Sequence, residues 1–169
     1  MVSDRKRQRQ LEAERQQTRA KLKKTYSLSI GLLRSDAALE SFQREWSAVQ
    51  ATGENWDKIK ASKISAVEQV ETNAFTRVTD LLAFHLGALY AVVEKWKKWN
   101  FVGAEVDALL KKSDFLKVLE HYRHTVFHVD RYDAKGTLDM LDRPEILSWT
   151  RELSEAIRRA LRDAMRKPV

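Results

Sequence analysis

The sequence predicts an all-α fold, and three observations carry that expectation. Only five glycines and two prolines interrupt 169 residues, so little stops a helix from continuing. Ala, Leu, Glu, Lys and Arg fill long stretches in which apolar residues return every three or four positions. Charged residues make up 33% of the chain, as expected where each helix keeps one face in water. The length suits one domain with a sizeable core.

Taken in order, residues from about 5 to 34 read as one long helix, polar at first and more apolar through Leu22, Tyr26, Ile30 and Leu33. Ser35 or Asp36 is expected to cap a second helix, in which Leu39, Phe42, Trp46 and Val49 fall at helical spacing. "TGEN" (Thr52–Asn55) breaks the pattern. A further helical region starts near Trp56 and runs into the most apolar run, Leu81–Val93, then closes in "EKWKKWN", whose lysines suit a helix C-terminus. That run has 13 residues and includes His85. A membrane span needs about 20 apolar residues, so a buried core helix is expected.

"FVG" (Phe101–Gly103) makes a second break before a short helix, "AEVDALLKK". Ser113 is expected to cap the next helix, with Phe115, Leu119, Tyr122 and Val126 as its core stripe. Val129–Asp142 reads as a loop. Asp142 with Pro144 marks a helix start, because the first turn does not need proline's missing N–H. The last helix is expected to bury Ile146, Trp149, Leu153, Ile157, Leu161 and either Ala164 or Met165.

The net charge of +7 is uneven. Residues 1–24 hold nine Lys/Arg against three acids, and the rest of the chain is close to neutral. The sequence therefore divides into a basic helical N-terminal arm, 1–24, and a helical domain, 25–169. Arg5, Lys6, Arg7, Arg9, Lys21, Lys23 and Lys24 of the arm, with Arg131 further on, are candidate RNA contacts through phosphate charge. A solvated helix start is the simpler alternative. There is no cysteine, which excludes disulfides, thiolate zinc sites and thiol nucleophiles. The opening "MVSDRKRQRQ" has no apolar run behind its basic residues, so a cytoplasmic address with no membrane association is expected.

The densest chemistry lies in "HYRHTVFHVD", residues 121–130. His121, His124 and His128 share one helix face, and His121 or His124 with His128 could hold a transition metal, with Asp130 as an oxygen ligand. Three imidazoles spread along about two turns rarely converge on one ion, however. His85 is the one histidine that could join them from another helix, and a hydrogen-bonded core role suits it better.

The same stretch contains "RHTVFH", an arginine and a histidine separated by four residues. It resembles the HEPN superfamily, small α-helical domains defined by an Arg-x4–6-His motif near a helix end. The residue after that arginine is commonly Asn, Asp or His, and here it is His124. The resemblance in helical pattern covers about residues 35–166, although only three residues are specific. It implies a HEPN-like helical bundle with a long N-terminal helix. It further implies a metal-independent endoribonuclease of toxin or phage-defence type, needing no cofactor and acting as a homodimer. Arg123, His128 and His124 would be its catalytic residues, RNA its substrate, and an antitoxin or larger defence system its partner. Part of the family carries His-x-Tyr at the motif's end, where the tyrosine is modified with nucleotides. Here Asp130 stands at that place and Tyr132 follows two residues later, so the modification is not implied.

Arg123 and His128 lie roughly 140° apart around a regular helix, so one straight helix cannot aim both at one phosphate. A distorted helix end near Val126–His128, or a second protomer, is expected to solve this. Non-catalytic readings stand beside the enzyme: a dimerising or nucleotide-binding or RNA-binding module, or an Arg123 that merely pairs with Glu120 or Asp130.

Overall fold

The computed structural model describes residues 2–51, 73–111, 113–127 and 143–166. Among these it contains five helices and no strand, so the chain is all-α: α1 (Val2–Ala51), α2 (Asn73–Lys98), α3 (Ala104–Leu110), α4 (Ser113–Phe127) and α5 (Pro144–Arg166). No helix among the described residues is long and apolar enough to cross a membrane.

The expected break at Ser35 and Asp36 is absent, and α1 runs through both residues for 50 in all. Neither side chain caps a helix. Ser35 is buried and hydrogen-bonds His85, while Asp36 pairs with Arg158 of α5. Ser and Asp signal a helix start only when their oxygens turn back to local N–H groups. Here packing claims those oxygens, and no glycine or proline lies between Leu32 and Ala51 to stop the helix. The helix that results is about 75 Å long.

Helix α2 is the central element and packs against α1, α4 and α5. Its core face presents Val78, Leu82, Leu86, Leu89, Val93 and Trp96, all with 2% exposure or less. The predicted core run Leu81–Val93 is thus buried over most of its length, although Phe84 points outward at 42% exposed. Each fully buried leucine or valine contributes about 1.5–3 kcal/mol of transfer free energy. Gly31 of α1 lets the two long helices approach closely, because a Cβ there would sit 2.7 Å from Val92 Cγ2.

Asn100 stops α2. It takes the left-handed conformation (φ 53°), its N–H donates to Lys97 O at 3.1 Å, and Phe101 N–H donates to Trp96 O at 3.1 Å. These two bonds satisfy carbonyls that a helix end would otherwise leave open. The stop is therefore made just before the expected "FVG" break. Trp96 packs on Phe101 with ring centroids 5.2 Å apart.

Helix α5 starts at Pro144 as predicted. It buries Ile146, Trp149, Leu153, Ile157 and Leu161, whereas Met165 is 54% exposed. Trp149 Nε1 donates to Leu109 O of α3 at 3.2 Å, and its ring meets Phe115 of α4 at 5.4 Å. Helix α4 buries Leu119 and Tyr122 and half-buries Phe115 against α2. The region from Trp56 to 72, the loop Val129–Asp142, His128, Asp130, Arg131 and Tyr132 lie outside the described residues.

Candidate functional site

Helix α4 carries the Arg-x4-His stretch as far as Phe127. Tyr122 turns inward at 2% exposed, and this orientation places its two neighbours. Arg123 lies at the edge of the α2 packing, half-exposed, while His121 and His124 are exposed. His121 meets Tyr122 edge-on at 5.4 Å.

Arg123 is held from two sides by α2. Its Nη1 donates to Glu94 Oε1 at 2.6 Å, and its guanidinium carbon lies 5.7 Å from the centre of the Tyr90 ring. Tyr90 and Glu94 are four residues apart, so α2 presents both on one face. The bond to Glu94 engages one of the five guanidinium N–H donors. The Tyr90 ring attracts the cation without using any of them. Burial pushes the Tyr90 hydroxyl above its ordinary range, reinforced by the negative charge of Glu120 and Glu94 and opposed by Arg123. The arrangement is a planar cation clamped between an acid and an aromatic ring, with exposed His124 next in the chain.

Of the predicted catalytic set, Arg123 and His124 are adjacent on α4, and His128 lies outside the described residues. The expected distortion near Val126–His128 falls at that same boundary. Arg123 pairs with Glu94 of α2, not with the local Glu120 that the sequence offered, and Asp130, the other local partner proposed, lies outside the described residues. Sequence reading missed Glu94 and Tyr90, because their partner is 29 residues from Glu94 and no local spacing marks such a contact.

Compared with known proteins, the chain matches no family model, no curated protein and no solved structure.

The metal reading does not gain a fourth helix-borne ligand from His85. That residue is fully buried, with Nδ1 2.9 Å from both Ser35 O and Ser35 Oγ and Nε2 3.2 Å from Thr150 Oγ1. The Ser35 carbonyl can only accept, so Nδ1 carries the proton, and Nε2 lies within reach of the Thr150 hydroxyl, whose one proton also has Leu147 O as an acceptor at 2.9 Å. Burial, with a smaller contribution from Arg151, pushes this imidazole down to about 4. It is the hydrogen-bonded core histidine expected from its apolar run. Among the described residues no three His, Asp or Glu side chains group as a metal would require.

The arm cations Arg5, Lys6, Arg7, Arg9, Lys23 and Lys24 are exposed along the first half of α1, with Lys21 half-exposed. They form no enclosed site.

Proposed function

We propose that this protein is a metal-independent endoribonuclease of the HEPN type. Its catalytic centre is Arg123 and His128, assisted by His124 and completed by a second protomer. The observation that carries this reading is the clamp on Arg123. An arginine that stabilises a phosphoryl transition state must be held in place and still have N–H donors to offer; Glu94 and the Tyr90 ring hold Arg123, and the Glu94 bond engages one of its five donors.

In this reaction the 2′-oxygen of the substrate attacks the adjacent phosphorus and the bond from phosphorus to the 5′-oxygen breaks. One histidine takes the proton of the 2′-hydroxyl and another protonates the departing 5′-oxygen. A two-fold assembly supplies both histidines, one in each role. Arg123 donates to the phosphoryl oxygens as charge builds on them.

A non-catalytic RNA-binding or nucleotide-binding module is the second reading, and the same clamp favours it. Glu94 already compensates the charge of Arg123 at 2.6 Å, as in a packing contact between α2 and α4. Cleavage of labelled RNA by the purified chain in EDTA separates the two. The ribonuclease leaves a 2′,3′-cyclic phosphate and a 5′-hydroxyl. His128→Ala then lowers the rate on the order of 10²–10⁴-fold, Arg123→Ala costs a similar order, and Arg123→Lys rescues poorly because it lacks the planar fork. His124→Ala falls between these and the milder His121→Ala. RNA binding without cleavage establishes the module. Cleavage that EDTA abolishes, or full activity in His128→Ala, removes the ribonuclease assignment.

A further inference from the structure

A hollow of about 230 Å³ lies in the seam between α1 and α2. The two helices run antiparallel there, since Ser35 meets His85 while Gly31 approaches Val92. Gly31, Ala88 and Ala91 leave the space because they carry little or no side chain, and Phe84 walls it. Single exposed apolar residues are ordinary, but the exposed ring of Phe84 borders a cavity. A cation stands at each end. Lys95 donates to the Ser27 hydroxyl at 3.4 Å and stands 6.0 Å from the centre of the Trp99 ring. Arg34 lines the hollow further along α1, about 10 Å from Ser27 along the helix axis. No acid lines the space. The acids nearest to these cations in sequence, Asp36 and Glu94, are engaged by Arg158 and Arg123. Among the described residues neither Arg34 nor Lys95 has an acidic partner. Exposed Lys24 and Lys98, one turn beyond Ser27 and Lys95, add to the positive potential.

We propose that this hollow binds a small organic anion with an apolar body, of the medium-chain carboxylate class. The carboxylate sits at Lys95 and Ser27, where an ammonium and a hydroxyl converge, and the chain runs along Ala91 and Ala88 towards Phe84. Two cations without an acid select negative charge. Between them Gly31, Ala88, Ala91 and Val92 offer no polar side chain. A sugar or a nucleobase edge would give up hydrogen bonds to water on that floor, whereas an alkyl chain has none to lose. The volume falls below the about 300–1,000 Å³ of sites for drug-sized ligands, and a helix about 10 Å wide does not enter it. A second copy seated face to face would set Arg34 and Lys95 against the same two cations. Ala91 and Lys95 lie about 100° around α2 from Tyr90 and Glu94. The site therefore does not use Arg123, and its failure is separable from failure of the ribonuclease reading.

Titration calorimetry of the full-length chain with octanoate should show one saturable site with a dissociation constant below about 1 mM. The shorter butanoate should bind at least about tenfold more weakly, because it leaves most of the apolar floor uncovered. Octylammonium, with the same body and the opposite charge, should not bind. Arg34 and Lys95 are exposed, so the joint replacement Arg34→Glu and Lys95→Glu leaves the core untouched and should reverse that preference, with octylammonium bound and octanoate refused. Ala91→Leu should fill the hollow and abolish binding with the helical circular dichroism retained, and the charge reversal decides the matter if that variant does not fold. Equal affinity for octanoate and octylammonium in the unaltered chain would overturn the proposal. So would octanoate binding that survives the charge reversal, or no saturable binding of octanoate below about 10 mM. Adenosine monophosphate that binds where octanoate does not, and is lost in Ala91→Leu, would reassign the hollow to nucleotides.

Discussion

Ser35 and His85 join α1 to α2 by a reciprocal pair of hydrogen bonds in the core. The imidazole Nδ1–H donates to Ser35 O at 2.9 Å, and Ser35 Oγ–H donates to His85 O at 3.2 Å. Thr150 of α5 lies 3.2 Å from the other ring nitrogen, so three helices meet at one neutral histidine. The Nδ1–H, the Ser35 hydroxyl and the Thr150 hydroxyl each have an acceptor in this enclosed spot, which limits the desolvation loss of burying them.

That histidine makes the fold acid-sensitive. Its folded pKa, pushed down to about 4 by burial, lies below the ordinary value near 6.5. Between those values the unfolded chain binds the proton that the folded one refuses. Stability from this group is complete above pH 6.5, declines as pH falls towards 4, and changes no further below. The full loss is roughly 3 kcal/mol. Asp36 acts in the opposite sense, because burial outweighs Arg158 and raises its carboxyl. Urea midpoints measured from pH 7.5 to 4 should fall for the unaltered chain and flatten for His85→Gln, which starts less stable. An unchanged slope in that variant would show that His85 is not the acid-sensitive group.

Gly31 and Val92 should show a sign reversal. In the unaltered core, Gly31→Ala places a methyl 2.7 Å from Val92 Cγ2, and Val92 is stiff and 2% exposed. Overpacking there costs about 1–3 kcal/mol, against about 1 kcal/mol gained from alanine's helix propensity. In a Val92→Ala background the clash is gone and the same Gly31→Ala change should stabilise. Thermal melts of the four proteins in the cycle measure it. Stabilisation by Gly31→Ala in both backgrounds would mean that α1 and α2 do not approach this closely.

Periodicity read from sequence located the core of α2 and α5 because Leu82, Leu86, Leu89, Leu153 and Ile157 are buried on faces that repeat every three or four residues. It failed at Ser35 and Asp36, where identical residue types make a cap or a tertiary bond depending on what packs opposite. The end of α2 within "EKWKKWN" was legible in its lysines, whereas the left-handed conformation of Asn100 that makes the stop leaves no periodic trace. The Arg123 motif was legible as a spacing within one helix. Its clamp was not, since Tyr90 and Glu94 reach it only through the packing of α2 on α4.

The basic arm should contribute charge rather than fold. Replacing Arg5, Lys6, Arg7 and Arg9 with glutamine removes four positive charges and leaves every apolar residue of α1 in place. These four side chains are exposed, and glutamine matches their helix propensity closely. The salt dependence of binding to single-stranded RNA should become shallower by up to about 3 units of log K per log salt, with the melting temperature unchanged. An unaltered salt slope would show that these cations do not touch phosphate.

The Arg123–Glu94 pair offers the sharpest separation of packing from chemistry. Both side chains are more than a third exposed, at 37% and 39%, so solvent screens their attraction. A double-mutant cycle on folding stability with Glu94→Gln and Arg123→Gln should return only about 0.2–1 kcal/mol of coupling. Its effect on cleavage should be much larger. Without Glu94 the guanidinium keeps its charge and its Tyr90 platform but loses the bond that sets its rotation. Glu94→Gln should therefore lower kcat more than it raises KM, on the order of tenfold or more. Glu94→Asp, which keeps the charge but shortens the reach, should recover part of that loss. Tyr90→Phe keeps the ring and should leave cleavage close to normal, while Tyr90→Leu should lower it by removing the stacking surface. The two measurements must disagree for Arg123 to be a reacting group. If the stability and cleavage cycles instead return the same small coupling, Glu94 and Arg123 form a packing contact between α2 and α4, and the RNA-binding module becomes the better account of this helix.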